Sequence, residues 1–208
     1  MKNDIVGAVG SRLAAGQNLL IASHERPDGD AAGSLLGLGL AMHAAGKNVQ
    51  MVLADGVPSA FRHLAGADQI KESIEPAFDT FITVDCPEYN RTGKVFAALR
   101  SPDINIDHHT TNEKSGELNL VEGDEVVTSA ILASRLPSWG HRITASVAAA
   151  LLTGVLTDTL GFGTFNVTPE AMLQVAARIE AGADLPQLYR REEVGLAANR
   201  RIHSTHGQ

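Results

Sequence analysis

Apolar residues along this chain fall into two alternating patterns, short continuous runs and longer stretches with apolar positions three or four apart. Ile5, Val9 and Leu13 recur every four positions and predict a helix over Ile5 to Ala15, ended by Gly16. Asn18 to Ser23 (NLLIAS) is a short apolar run between polar residues, the pattern of a buried strand. His24 to Asp30 contains Pro27 and Gly29 and cannot be helical throughout. Ala31 to Ala45 then reads as a helix of small residues stopped by Gly46, and Val49 to Leu53 as a second strand.

The alternation continues. Pro58 to Leu64 reads as a short helix. Thr80 to Val84 reads as a strand running straight into Asp85, and Arg91 to Arg100 is weakly helical. Ile104 to Ile106 is a strand leading into Asp107, His108 and His109, with a further strand at Asn119 to Val121. Helices follow at Val126 to Leu136, Ile143 to Thr157 and Glu170 to Ala181, the last with Thr168 as N-cap and Pro169 at its first position. Strands alternating with helices in this way predict an α/β fold, a mainly parallel sheet with helices on both faces. There is no internal repeat or low-complexity segment. Glu192 to Gln208 is polar, without a period, and reads as a tail or the start of a linker after a domain spanning 1–190.

Composition narrows the picture. The chain has 208 residues, enough for one large domain. Hydrophobic residues make up 44% and aromatics only 4%, so the core must be built from Ala, Leu, Val and Ile. The formal net charge of −7 excludes a grip on long nucleic acid by bulk charge. A small phosphorylated substrate is compatible if cations neutralise the site locally. The single cysteine, Cys86, excludes an internal disulfide and points to a reducing, cytoplasmic compartment. The first residues lack a signal-peptide pattern, and no run reaches the ~18 apolar residues of a membrane helix, so a soluble protein is expected.

The candidate chemistry sits where the apolar runs end. His24, Asp28 and Asp30 follow the first strand, Asp85 the third, Asp107, His108 and His109 the fourth, and Asp158 the helix Ile143 to Thr157. Ligands of open α/β sheets bind just beyond the carboxyl ends of the strands, so these clusters are expected to converge. Five carboxylates brought together without partners would repel one another and be hard to ionise. Two divalent cations would offset four of those charges, and carboxylates with neutral imidazoles suit Mn²⁺, with Mg²⁺, Fe²⁺ or Co²⁺ as alternatives. Taken singly, each feature has a plainer reading. An Asp after a strand is ordinarily a turn or cap residue, and Asp28-Gly29-Asp30 alone is an ordinary entry into a helix. Gly29 is expected to permit an unusual backbone turn, while Gly33 and Ser34 open a helix N-terminus facing the anionic site or, for Gly33, pack closely on the sheet. His43, His63, His141, His203 and His206 lack clustered partners and read as surface or packing residues, and Cys86 as a buried, inert thiol.

The ordered set His24-x-x-x-Asp28-Gly29-Asp30-Ala31-x-Gly33-Ser34, Val84-Asp85-Cys86, Asp107-His108-His109 and Thr153-Gly154-x-x-x-Thr157-Asp158-Thr159 resembles the four motifs of the DHH phosphoesterase family. Asn112 and Ala181-Gly182-Ala183-Asp184 fit as well, and the resemblance covers about residues 5–190. Its nearest branch is the bacterial oligoribonuclease/pAp-phosphatase group. The resemblance implies a metal-dependent phosphoesterase with two divalent cations, Mn²⁺ first and Mg²⁺ or Co²⁺ next. One would be held by His24, Asp28 and Asp85, the other by Asp30, Asp85, His108 and Asp158, with Asp85 bridging. Asp107 would orient a neighbouring imidazole, His109 would face the substrate phosphate, and Ser34 and Asn112 would contact substrate. The implied partners are a short single-stranded oligonucleotide or a phosphorylated nucleotide such as 3'-phosphoadenosine 5'-phosphate, with no membrane, and a homodimer is compatible. Members of this branch carry a second, substrate-gripping domain, which is not found before Gln208. Alternatives on the same metal pair are a cyclic-dinucleotide phosphodiesterase, an exopolyphosphatase or a pyrophosphatase. A catalytically idle binding module is the alternative from another class.

Overall fold

The computed structural model describes residues 2–75, 77–164 and 167–191. Five parallel strands form one sheet: β1 (Asn18–Ala22), β2 (Asn48–Val52), β3 (Thr80–Val84), β4 (Ile104–Asp107) and β5 (Leu118–Val121). Their spatial order is β2-β1-β3-β4-β5. The chain leaves β1 for β2 on one side and returns to β3 on the other. The carboxyl ends of β1 and β3 therefore flank a topological switch point, where open α/β sheets leave a crevice. His24 to Asp30 follows β1 and Asp85 follows β3, so the order of strands alone delivers both motifs to that crevice.

The chain forms five α-helices, α1 (Lys2–Ala15), α2 (Gly29–Ala44), α3 (Thr128–Ser138), α4 (Ala145–Asp158) and α5 (Pro169–Glu180), and residues 185–191 are helical as well. All five contribute to one large core with Leu19, Ile21, Ile82, Val84, Ile104 and Ile106 of the sheet. Alternate strand residues, Leu20, Ala22, Val52 and Phe81, belong to a smaller second core. There the weakly helical segment expected at Arg91 to Arg100 is resolved as two 3-10 turns, Tyr89–Thr92 and Lys94–Phe96. Gly93, at φ 104°, separates them, in a backbone region that breaks an α-helix. Phe96 stacks on Phe81 with ring centroids 5.8 Å apart, so the few aromatics are spent where no long helix covers the sheet. Helical segments thus cover both faces, but unequally. The helix expected at Pro58 to Leu64 is likewise a single 3-10 turn, Ser59–Phe61.

Glycine governs how α2 lies on α4. A Cβ at Gly33 would stand 2.5 Å from the Ala150 carbonyl oxygen, and one at Gly37 would meet Leu151. Of the readings for Gly33, close helix packing is the one observed, and it is against α4. Helix α5 starts as expected, with the Thr168 side chain accepting from Ala171 N behind Pro169. The expected tail, Glu192 to Gln208, lies outside the described residues, as do His203 and His206. Among the described residues no helix is long and apolar enough to cross a membrane.

Candidate metal centre

Asp85 is the pivot of the site. It leaves β3 at φ 50°, a left-handed conformation that costs a non-glycine residue energy and is held by its N–H bond to the Ile106 carbonyl at 3.0 Å. Its side chain is buried, 2% exposed. Asp85 Oδ2 lies 3.7 Å from His24 Nε2, whereas Oδ1 lies 3.7 Å from His108 Nε2 and 3.8 Å from His109 Nδ1. One carboxylate thus presents a different oxygen to each of two imidazole groups.

On the His24 side, the Nδ1 atom sits 2.8 Å from the Glu25 carbonyl oxygen. A carbonyl can only accept, so Nδ1 carries the proton and Nε2 is left facing Asp28 Oδ2 at 3.9 Å and Asp85. Asp28 is the N-cap of α2: its Oδ1 accepts from Asp30 N and Ala31 N, both at 3.0 Å. Its other oxygen is thereby turned to the centre. The unusual turn lies at Arg26, φ 53°, whose N–H donates to Asp55 Oδ2 at 2.7 Å. It does not lie at Gly29, which is the first residue of α2. Gly29 is required there by contact, since a Cβ would meet Thr157 Oγ1 at 2.1 Å.

On the other side, Asp107 is fully buried. Its Oδ1 accepts from His108 N at 2.7 Å and His109 N at 3.1 Å, and lies 2.7 Å from His109 Nδ1. Asp107 therefore fixes the His109 ring, leaving Nε2 on the half-buried outer edge. Asn112, expected at the substrate, is instead buried: its amide nitrogen donates to Asp107 Oδ2 and Asn105 Oδ1, and its oxygen accepts from Lys114 N. Ser34, also expected at the substrate, likewise faces inward. It is fully buried within α2 and donates to Asp30 Oδ1 at 3.2 Å.

Among the described residues, His24, Asp28 and Asp85 bring ligand atoms within 4.8 Å of one another, as do Asp85, Asp107, His108 and His109. Asp30 and Asp158 border these groups without joining them at that distance. Asp30 is engaged by the start of α3, and Asp158 is an exposed residue ending α4. Burial, then the charges of Asp30 and Asp28, push the Asp85 carboxyl up to about 7, against the lowering influence of His24. Burial likewise raises Asp30, and burial with Asp30 and Asp28 raises Asp158. Burial lowers the affinity of His24 for a proton, but Asp85 and the Glu25 carbonyl outweigh it and the net shift is upward. Hydrogen bonding to Asp107 raises His109. Asp107 itself is lowered: burial opposes ionisation, yet bonds from His109 and Asn112 prevail. Three carboxyls held above their usual range and a proton drawn onto His24 describe excess negative charge. A divalent cation relieves that excess, and oxygen with imidazole nitrogen is a fitting donor set for Mn²⁺, Fe²⁺, Co²⁺ or Zn²⁺. Cys86 stays outside this chemistry, since burial, then Asp107, pushes its thiol up to about 12.

The profile of the DHH family N-terminal domain matches residues 18–155, from β1 into α4. The chain belongs to the DHH family. Over 172 residues this DHH domain is 36% identical to the bifunctional oligoribonuclease and PAP phosphatase NrnA of Thermus thermophilus, covering 82% of this chain and 52% of that protein. It is 25% identical over 115 residues to the uncharacterized protein MG371 of Mycoplasma genitalium, covering 55% of this chain and 34% of the relative. The chain thus spans about half, or less, of the length of these relatives. Its fold matches the crystal structure of an exopolyphosphatase-related protein from Bacteroides fragilis at a TM-score of 0.83 and 23% identity, over 91% of this chain and 60% of the other. A putative family II inorganic pyrophosphatase from Methanococcus jannaschii matches at 0.59 and 18% identity, over 86% and 59%. At these identities the two structures speak to the DHH fold alone.

Three participants were not singled out in the sequence, the adjacent Thr128 and Ser129, and Asn105. Thr128 and Ser129 open α3, where Ser and Thr are common start residues, so the local signal was indistinguishable from a cap. Asn105 is fully buried in mid-strand, between Thr83, Cys86 and Asn112. A polar residue inside the apolar run Ile104 to Ile106 was the available sign.

Proposed function

We propose that this chain is a phosphoester hydrolase using two divalent cations, Mn²⁺ foremost, on short oligoribonucleotides and on 3'-phosphoadenosine 5'-phosphate. The carrying observation is Asp85, whose two oxygens face separate imidazole groups at 3.7 Å, an arrangement suited to bridging two cations. The Thermus relative, an oligoribonuclease and PAP phosphatase, supplies the substrate classes. His24, Asp28 and Asp85 would hold one ion, and Asp30, Asp85, His108 and Asp158 the other. Divalent cations held there would supply positive charge against phosphate oxygens and would lower the pKa of a water.

The protein's own groups do the rest. Asp107 holds the proton of His109 on Nδ1 and directs Nε2 outward, where a protonated ring can hydrogen-bond a phosphate oxygen. Asn112 and Asn105 lock Asp107 from behind. The left-handed turn at Arg26, pinned by Asp55, sets where His24 and Asp28 stand. A single buried cysteine fits action in a reducing compartment such as the cytoplasm.

The test is release of phosphate from 3'-phosphoadenosine 5'-phosphate and of mononucleotide from a short RNA, with pyrophosphate and a cyclic dinucleotide as comparison substrates. Release is expected with Mn²⁺, to vanish with EDTA, and to be lost in Asp85→Ala with circular dichroism unchanged. Activity surviving in Asp85→Ala would overturn the reading.

A further inference from the structure

Helix α3 begins without a cap of its own. Val127 occupies the N-cap position and its side chain makes no capping bond. The first backbone donors go instead to a carboxylate of α2: Thr128 N donates to Asp30 Oδ2 at 2.7 Å, and Ser129 N to Asp30 Oδ1 at 2.9 Å. The side chains extend this grip. Ser129 Oγ donates to the same Oδ1, and Thr128 Oγ1 donates to Asp85 Oδ1 at 3.0 Å. Helix α4 leaves room for it, because a Cβ at Gly154 would stand 2.1 Å from Ser129 Oγ and 2.7 Å from Asp30 Oδ1. Thr128 and Ser129 are fully buried, so neither can touch a substrate.

We propose that Thr128 and Ser129 are positioning residues that prepare the cation site on the His108 side of Asp85. The proposal rests on the two-cation reading above. A carboxylate oxygen offers two in-plane lone pairs. Asp30 Oδ1 accepts from Ser34, Ser129 N and Ser129 Oγ and is spent, whereas Oδ2 accepts one donor and keeps a lone pair for a cation. Asp85 Oδ1 accepts the Thr128 hydroxyl on one side and faces His108 on the other. That bond stops the Asp85 carboxylate from rotating about its terminal torsion, which is otherwise broad. The pair thereby decides which oxygen of each acid is offered to the second ion. The partial positive charge at the start of α3 lies against the same acids and offsets their repulsion.

Mn²⁺ binding by isothermal titration calorimetry tests this on the full chain, comparing wild type with Thr128→Val, Thr128→Ser and Ser129→Ala. Valine keeps the shape of threonine and removes the hydroxyl. Wild type is expected to bind two ions. Thr128→Val should lower affinity for the ion on the His108 side about 10- to 100-fold and for the other ion much less. Thr128→Ser, which retains the hydroxyl, should restore it. Ser129→Ala should weaken the same ion, and decides the matter if the valine variant does not fold by near-ultraviolet circular dichroism. Two unchanged sites in Thr128→Val, equal weakening of both, or no rescue by serine would overturn the proposal. A wild-type chain that binds fewer than two ions would overturn the two-cation reading itself.

Discussion

Asp85 shows how function and stability oppose each other in one side chain. Its carboxyl is pushed up to about 7 by burial and by Asp30 and Asp28. The folded chain then holds a proton that the unfolded chain releases near pH 4. The stabilising contribution is complete below the unfolded value and is lost as pH rises through the folded one. At pH 8 the metal-free protein must carry a buried charge that it resists. Asp85→Asn removes the charge, keeps the shape, and should stabilise the metal-free chain at pH 8 by on the order of 2 kcal/mol. The same variant should lose Mn²⁺ binding. Urea unfolding with and without EDTA reads both effects. A metal-free Asp85→Asn chain less stable than wild type at pH 8 would contradict the charge argument.

Among the elements, the contact between α2 and α4 decides how accurately the motifs meet. Asp28 and Asp30 start α2, Asp158 ends α4, and Gly33 with Gly154 lets the two helices approach. Gly33→Ala places a methyl group 2.5 Å from the Ala150 carbonyl oxygen, and backbone cannot yield as a flexible side chain does. The substitution improves intrinsic helix propensity yet should destabilise the protein by about 1–3 kcal/mol through overpacking. Its Mn²⁺ affinity should fall as well, because Asp28 and Asp30, two of the proposed ligands, stand at the start of α2. Chemical denaturation and metal titration of Gly33→Ala check the two effects. An unchanged midpoint would show that the helices have slack.

Across the whole molecule, α1 is tied by charge to the amino-terminal end of the strands, opposite the site. Arg12 bonds Asp103 Oδ1 at 2.9 Å just before β4, where Asp103 also accepts from Phe81 N at 2.7 Å and from Arg100. Burial opposes ionisation of Asp103, but Arg100, the Phe81 N–H and Arg12 prevail and lower it. A lowered carboxyl stabilises the fold above its unfolded value, and that contribution is lost as pH falls through the folded one. Asp103→Asn should therefore cost about 1–2 kcal/mol at pH 7. The difference from wild type should shrink as pH falls below 4. Thermal unfolding of the two chains across pH 3 to 7 measures this, and a gap independent of pH would assign the cost to packing instead.

Local pattern determined much of this protein. The strand Thr80 to Val84 and the Thr168 cap of α5 were legible, because a continuous apolar run and a capped, proline-led helix are properties of adjacent residues. So were the polar clusters at the strand ends, since carboxylate and imidazole side chains must interrupt an apolar pattern. Tertiary structure alone decided how those residues are used. Asn112 and Ser34 are turned inward because Asp107 and Asp30 are buried acids that need donors, a demand set by neighbours at other points along the chain. Gly29 faces Thr157, and Thr128 reaches Asp85, across 128 and 43 residues of sequence. The split of Arg91 to Arg100 into two 3-10 turns follows from Gly93 and from Phe96 seeking Phe81. Hydrophobic period reports which face of an element is buried, whereas the identity of what it meets is a long-range contact that no local pattern encodes.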